Sequence, residues 1–433
     1  MKLNYKRTIF VGFAFFAICA FWQLYDGIVP LILRDTFNIG DTLSGFIMSV
    51  DNILALFMLP LFGALSDKKG RRMPFIVIGT LAAVIFMVLM PIADGMKLLP
   101  LFMVALGATL VSMSVYRSPA VALMPDVTPK PLRSKGNAVI NLMGAVGGVY
   151  TLAAMQFLVK APKTGQPANY VPVFIAVGGL MLVALVLLLI TINERKLVRE
   201  MLDINYGVDP EEEKALTAED AKHEGGTKLA PGVLKSLILI LFSVAFWFMG
   251  YNAVTTAFTK YATQVWSQSV GQASTCLMVA TVGAVISYIP IGFLASKIGR
   301  KKTILIGIVT LAACFAVGGF VASTFSPLLY IMFGVVGFAW AAINVNSFPM
   351  VVEISKAGNI GKYTGYYYTF SMAAQIVTPI LSGYLLEHVG YFTLFPYAAI
   401  MVALSFVTMF LTKHGDNKPK KLESKLEAFD VDD

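Results

Sequence analysis

The chain has 433 residues, of which 57% are hydrophobic and only 14% charged, and its mean hydropathy is +0.74. Soluble domains average about 45–50% apolar and about 25% charged residues, so a cytosolic enzyme, a secreted disulfide scaffold and a disordered chain are excluded. The net charge of +9 raises nucleic acid as a partner, but the distribution of the cations points to a membrane instead.

At about 20 apolar residues per span, the length accommodates about twelve spans. In chain order, apolar runs between charged or Pro/Gly-rich breaks predict spans at about 8–33, 42–65, 73–93, 98–126, 136–159 and 171–193, then 233–259, 270–295, 303–325, 326–352, 363–387 and 391–412. All are helices, because lipid offers the backbone no other hydrogen-bond partner. The first run resembles a signal peptide up to Cys19-Ala20. It stays apolar to Leu33 and eleven more spans follow, so it reads as a retained helix. Cys19, Cys276 and Cys314 lie inside apolar runs, without disulfide or metal spacing, and read as small hydrophobes.

The expected organisation is an all-α membrane protein with two six-helix halves, 1–193 and 233–412. A linker, 194–232, and a tail, 413–433, complete it. The linker carries Glu211-Glu212-Glu213 and Gly225-Gly226, with some helix near Asn193–Asp203. Of the 34 Lys and Arg, 28 fall on the side of both termini and the linker, five fall opposite, and Arg117 lies within a span. By the positive-inside rule the termini and linker are cytoplasmic, in a multi-pass protein of the cell membrane (inner or plasma).

Gly63-Ala-Leu-Ser-Asp67-Lys-Lys-Gly70-Arg71-Arg72 follows the second span, and Gly292-Phe-Leu-Ala-Ser296-Lys-Ile-Gly299-Arg300-Lys301 follows the eighth. The offset is 229 residues, and it also aligns Gly136 with Gly365, so the chain reads as a duplicated six-helix unit in parallel orientation.

Charges buried in spans are costly and mark function by default. Asp26 sits in span 1 within Trp22-Gln23-Leu-Tyr25-Asp26, and Asp51 in span 2 beside Asn52. Helix rise places both in the outer half of the membrane, about 10 Å and about 13 Å from their span ends, with Arg117 of span 4 deeper. Asp126, Glu387 and His388 lie near span ends. A carboxylate kept from water favours its neutral form, so it can take a proton from one side and release it to the other. Asp26 is the first choice for this proton coupling, because Trp22, Gln23 and Tyr25 surround it with sugar-binding chemistry. Asp51 is the second. Further polar and aromatic stripes are Asn137, Asn141, Gly144 and Gly148 in span 5 and Trp247, Tyr251, Asn252, Thr255 and Thr256 in span 7. Span 10 has Trp340, Asn344 and Ser347, and span 11 has Thr364, Tyr368, Ser371, Gln375 and Thr378. Amides and flat aromatic faces suit a polyhydroxylated ligand, although such stripes also glue helices together. A catalytic cluster is missing: His223 and His414 lie in polar segments, His388 lies near the surface, and no metal-ligand spacing or phosphate loop occurs. The expectation is no enzyme, no cofactor, no metal and a monomer.

The G-x-x-x-D-x-x-G-R-R loop from Gly63 to Arg72, with the six-plus-six repeat, resembles the signature of the major facilitator superfamily. The resemblance implies two pseudo-symmetric halves around a midplane cavity lined by spans 1, 4, 7 and 10 with parts of 2, 5, 8 and 11. Asp67, Arg71 and Arg72, with Asp126 and Arg300, are then expected as a charged latch holding the halves closed on the cytoplasmic side. Ser296 weakens the second copy. Tyr116–Asp126, Arg133-Ser-Lys-Gly-Asn137-Ala, Met143–Gly148 and Arg71-Arg72-Met-Pro-Phe75 are similar to the disaccharide–proton symporter branch and its glycoside–pentoside–hexuronide relatives. That implies proton-coupled sugar symport by alternating access. The expected sugar-binding set is Trp22, Gln23, Tyr25, Asp26, Asp51, Asn52, Arg117, Asn141, Trp247, Tyr251, Asn252, Trp340, Asn344, Tyr368 and Gln375. The alternative is a proton-coupled efflux antiporter, although Gly144-x-x-Gly147-Gly148 lacks the proline of the usual antiporter motif.

Overall fold

A computed structural model of the chain describes residues 3–129, 132–160, 168–205, 230–321, 325–354 and 360–416. Most of the linker, with Glu211–Glu213 and Gly225-Gly226, and the tail beyond Asp416 lie outside the described residues.

The first six spans are α1 (Tyr5–Asp35), α2 (Asp41–Lys69), α3 (Met73–Gly95), α4 (Leu99–Asp126), α5 (Arg133–Leu158) and α6 (Val171–Thr191). A linker helix follows, α7 (Glu194–Asn205), close to the stretch expected from sequence. The last six spans are α8 (Pro231–Val265), α9 (Val270–Ile298), α10 (Arg300–Val321), α11 (Leu328–Ile354), α12 (Ile360–His388) and α13 (Leu394–Leu411), the last preceded by a 3₁₀ turn at Tyr391–Thr393. Twelve of these helices are long and apolar enough to cross a membrane. Several run past their apolar segments, because the i→i−4 hydrogen bonds continue where the side chains become polar. Prolines inside the spans, among them Pro30, Pro60, Pro290 and Pro379, are tolerated because neighbouring helices surround the freed carbonyls.

With twelve crossings, both termini lie at one end of the bundle, here called the termini face, and the opposite end is the far face. Within the first half α1 packs on α5, α3 on α4, and α6 on α1 and α3. In the second half α9 packs on α11, α8 on α13, and α10 on α11 and α13. The halves meet chiefly along α2–α12 and α5–α9. The repeat exchanges these two seams, since α2 corresponds to α9 and α5 to α12. Small residues make the approach possible. A Cβ on Gly45 would sit 1.9 Å from the Pro379 carbonyl oxygen, and one on Gly383 would sit 2.3 Å from that of Asp41.

Candidate functional site

A cavity of about 320 Å³ lies between the halves. The first half contributes Trp22 and Asp26 from α1, Met48, Asp51 and Asn52 from α2, and Arg117 from α4. The second contributes Phe248, Asn252, Thr255 and Thr256 from α8 and Trp340 and Asn344 from α11. From α12 come Tyr367, Tyr368, Ser371, Met372, Gln375 and Pro379. These sets recur at intervals of three and four, so each helix turns one stripe inward.

The charged wall belongs to the first half. Asp26 and Asp51 feel each other's charge, and Arg117 lies within electrostatic range of Asp51. Among the described residues neither carboxylate makes an ion pair. The Asn52 amide donates to Asp51 Oδ1 at 2.9 Å, and the Arg117 guanidinium lies over the Trp22 ring, 5.8 Å from its centroid. On the opposite wall Tyr251 stacks on Trp340, with centroids 3.8 Å apart and planes 7° from parallel, and Phe248 meets the same indole edge-on. The Trp22 indole N–H and the Asn252 amide nitrogen are buried and have no partner among the described residues. A buried donor without an acceptor is costly. Both residues line the cavity, on opposing walls.

A smaller cavity of about 80 Å³ adjoins it, and Asp26 and Thr255 line both. Gln23, Tyr251 and Thr281 add polar groups there, against Leu277, Phe315, Phe333 and Val336.

Three residues of the expected set lie elsewhere. Tyr25 is buried and its hydroxyl donates to the Met48 carbonyl at 3.3 Å. Trp247 is fully buried. Asn141 sits on α5, which lines neither cavity. The reason is packing: α5 spends its small residues on α1, where Gly144 faces Phe15 and Cys19 and Gly147 lies against the Phe16 backbone. Span 8, which is α9, reaches only the smaller cavity. Phe248 and Tyr367 were missed by the sequence reading. Each lies four residues before a stripe member, Asn252 and Ser371, so extending the stripes by one turn would have found them.

At the termini face Arg72 gathers several groups. It pairs with Asp67 and with Asp126, the latter at 2.8 Å, and donates to Ser66 Oγ at 2.5 Å. The backbone N–H groups of Arg72 and Met73 donate to the Glu194 carboxylate. Burial works against the Arg72 charge, but the hydrogen bonds and charges of Asp126 and Asp67 outweigh it and raise its pKa above the ordinary arginine value. All these partners belong to the first half or the start of α7. The latch therefore braces one half internally instead of tying the two halves together, because Arg72 lies under its own bundle. Gly70, at φ +63°, makes the turn that delivers it. In the second copy Asp416 accepts from the Lys301 backbone N–H at 2.9 Å and lies within electrostatic range of Arg300.

At the far face the halves are tied directly. Lys260 Nζ and Asp41 Oδ1 are 2.6 Å apart, and both residues are buried. The Tyr391 hydroxyl donates to Asp41 Oδ2 at 2.6 Å, and the Thr42 N–H donates to Glu387 Oε2 at 2.7 Å. Arg34 reaches Thr263 Oγ1 at 3.3 Å, the Ser49 hydroxyl donates to the Ile376 carbonyl at 2.7 Å, and Gln156 accepts from the Thr275 hydroxyl at 2.8 Å. The sequence signal for this cluster was Lys260 itself, a lone cation between apolar turns on the cation-poor side.

Twelve spanning helices in two repeated halves, closing on a polar cavity with charges at mid-depth, define the architecture of a membrane carrier. Two overlapping stretches, residues 11–265 and 240–431, match the family model of the Major Facilitator Superfamily, and the chain belongs to that family. Over 139 residues it is 30% identical to the "Uncharacterized MFS-type transporter C18.02" of Schizosaccharomyces pombe, covering 32% of this chain and 31% of that relative. The aligned stretch thus spans about a third of the relative's length. Among solved structures, a point mutant of the nucleoside transporter NupG superposes with a TM-score of 0.69 at 15% identity, covering 95% of this chain and all of that one. The human organic anion transporter MFSD10 (TETRAN) superposes with a TM-score of 0.60 at 17% identity, over 95% and 100%. At such identities the likeness is one of fold.

Proposed function

We propose that the protein is a secondary active transporter that moves a neutral, hydroxyl-rich solute together with protons by alternating access. The cargo is a sugar: a disaccharide, a glycoside or a short oligosaccharide. The observation that carries this reading is the main cavity, in which two carboxylates without ion-pair partners among the described residues share one space with the unpartnered donors of Trp22 and Asn252. Sugar hydroxyls supply acceptors for those donors and stack their apolar faces on Trp340 and Tyr368. One arginine beside two carboxylates makes the space unattractive to a strongly anionic cargo. The similarity of Tyr116–Gly148 to the disaccharide symporter branch supports the same cargo.

Asp26 is the first candidate for the coupling proton and Asp51 the second. In this scheme the loaded, proton-bearing carrier switches because the carboxylate is then neutral in a low-dielectric passage. The Asp41–Lys260 pair holds the far face shut in the conformation seen. The sequence excess of Lys and Arg on the side of both termini supports, by the positive-inside rule, a cytoplasmic termini face in a cell-membrane protein. The carrier works as a monomer, without cofactor or nucleic acid.

A thermal-shift panel on the purified full-length protein tests the cargo. Mono- and disaccharides, glycosides and hydrophobic cations are compared, because a bound ligand stabilises by RT ln(1 + [L]/Kd). The expected result is stabilisation by one or more disaccharides or glycosides, lost in Trp22→Ala and Asn252→Ala. Stabilisation by hydrophobic cations and by no sugar would establish the efflux reading instead.

A further inference from the structure

The termini face carries a second concavity, outside the bundle axis. A groove of about 680 Å³ runs between the start of α3 and the end of α6. Its wall is apolar and turned away from the bundle: Val77, Ile78, Leu189 and Ile190 line it, with Ile78 64% and Ile190 78% exposed. Its rim holds Arg71 and Arg195, both exposed and neither with a side-chain partner among the described residues. The carboxylate at the same rim, Glu194, is occupied by the backbone N–H groups of Arg72 and Met73. The groove therefore combines an acyl-chain-sized apolar wall with uncompensated positive charge at the level where α2 and α6 end, which is headgroup depth.

The other half carries a concavity of a different make-up. At the corresponding place in the other half a concavity of about 500 Å³ is lined by Lys297, Lys302, Leu305 and Ile306. Lys297 and Lys302 correspond to Lys68 and Met73 by the offset of 229 residues. Its cations thus stand at other positions than Arg71 and Arg195, which makes it a matched control surface.

We propose that the α3–α6 groove binds an anionic phospholipid of the surrounding leaflet, with its phosphate taken by Arg71 and Arg195 and an acyl chain laid along Val77, Ile78, Leu189 and Ile190. The lipid neutralises two guanidiniums that otherwise stand beside Arg72. It joins the α2–α3 turn to the start of α7, the same elements that Arg72 and Glu194 brace from inside.

The test uses the full chain in neutral detergent, with bound lipid counted by native mass spectrometry and stability followed by thermal melting. Dioleoylphosphatidylglycerol, dioleoylphosphatidylcholine and inorganic phosphate are the probes. The expected result is retention of phosphatidylglycerol and a raised melting point, not reproduced by phosphatidylcholine or phosphate. Loss of two interfacial charges in R71Q/R195Q should weaken phosphatidylglycerol about thirty-fold. The matched variant K297Q/K302Q should retain binding at this groove. Equal retention of phosphatidylcholine by the wild type, saturation by inorganic phosphate alone, or the same loss in both variants would overturn the proposal. The wild-type lipid comparison decides the question even where R71Q/R195Q fails to fold.

Discussion

Arg72 reaches Asp67, Ser66 and Asp126 with one guanidinium, a planar fork that an ammonium cannot reproduce. Arg72→Ala leaves Asp126 without its cation and should cost about 1.5–3 kcal/mol of stability, read as a lowered melting point of the full chain. Arg72→Lys should recover only part of that loss. The motif made Asp67 and Arg72 legible as partners. Sequence could not show which half their partners lie in, nor that Glu194, far along the chain, completes the cluster. At the opposite end the Asp41–Lys260 pair is buried, so its two members should not behave alike singly and together. Lys260→Met strands a carboxylate in a dry site and should destabilise by about 3–5 kcal/mol, whereas Asp41→Leu with Lys260→Met should be much milder. Thermal melting of both variants checks this; equal losses in the single and the double variant would mean that the pair carries no such coupling.

Helices meet where glycine lets them, and this decides what each element does. Gly45 and Gly383 bring α2 and α12 into backbone contact at the far face. Gly45→Val places a side chain where the Pro379 carbonyl stands, so the seam must open. The hydrogen bond from the Ser49 hydroxyl to the Ile376 backbone carbonyl, 2.7 Å and one turn along the same seam, should be lost with it, read as a lowered melting point of the full chain. An unchanged melting point in Gly45→Val would show that the seam does not depend on this contact. The same residue type explains the misplacement of Asn141. Its stripe of small and amide residues reads equally well as a ligand wall or as packing glue, and contact with α1 makes it packing. In a membrane helix both faces are apolar, so the pattern that marks the inward face of a soluble helix is weak. Only the rare polar positions, such as Asp26, Asn252 and Gln375, point inward unambiguously.

For the whole molecule, twelve spans and the 229-residue repeat made the fold readable before any coordinates, because lipid permits so few backbone solutions. Cargo is a different matter. The nucleoside and organic-anion transporters that share this architecture show one scaffold serving unlike solutes, so specificity lies in the few side chains that line the cavity. The cavity sets two carboxylates on one half against aromatic and amide groups on the other; in the proposed mechanism the first half holds the proton and both halves share the solute. If one proton moves with each sugar, a gradient of one pH unit supports about ten-fold accumulation. The direct test is proton and sugar flux in proteoliposomes carrying an internal pH indicator. Addition of the stabilising sugar should drive protons inward, and Asp26→Asn should retain sugar exchange while losing both proton movement and pH-driven accumulation. Accumulation that persists undiminished in Asp26→Asn and in Asp51→Asn would contradict the account.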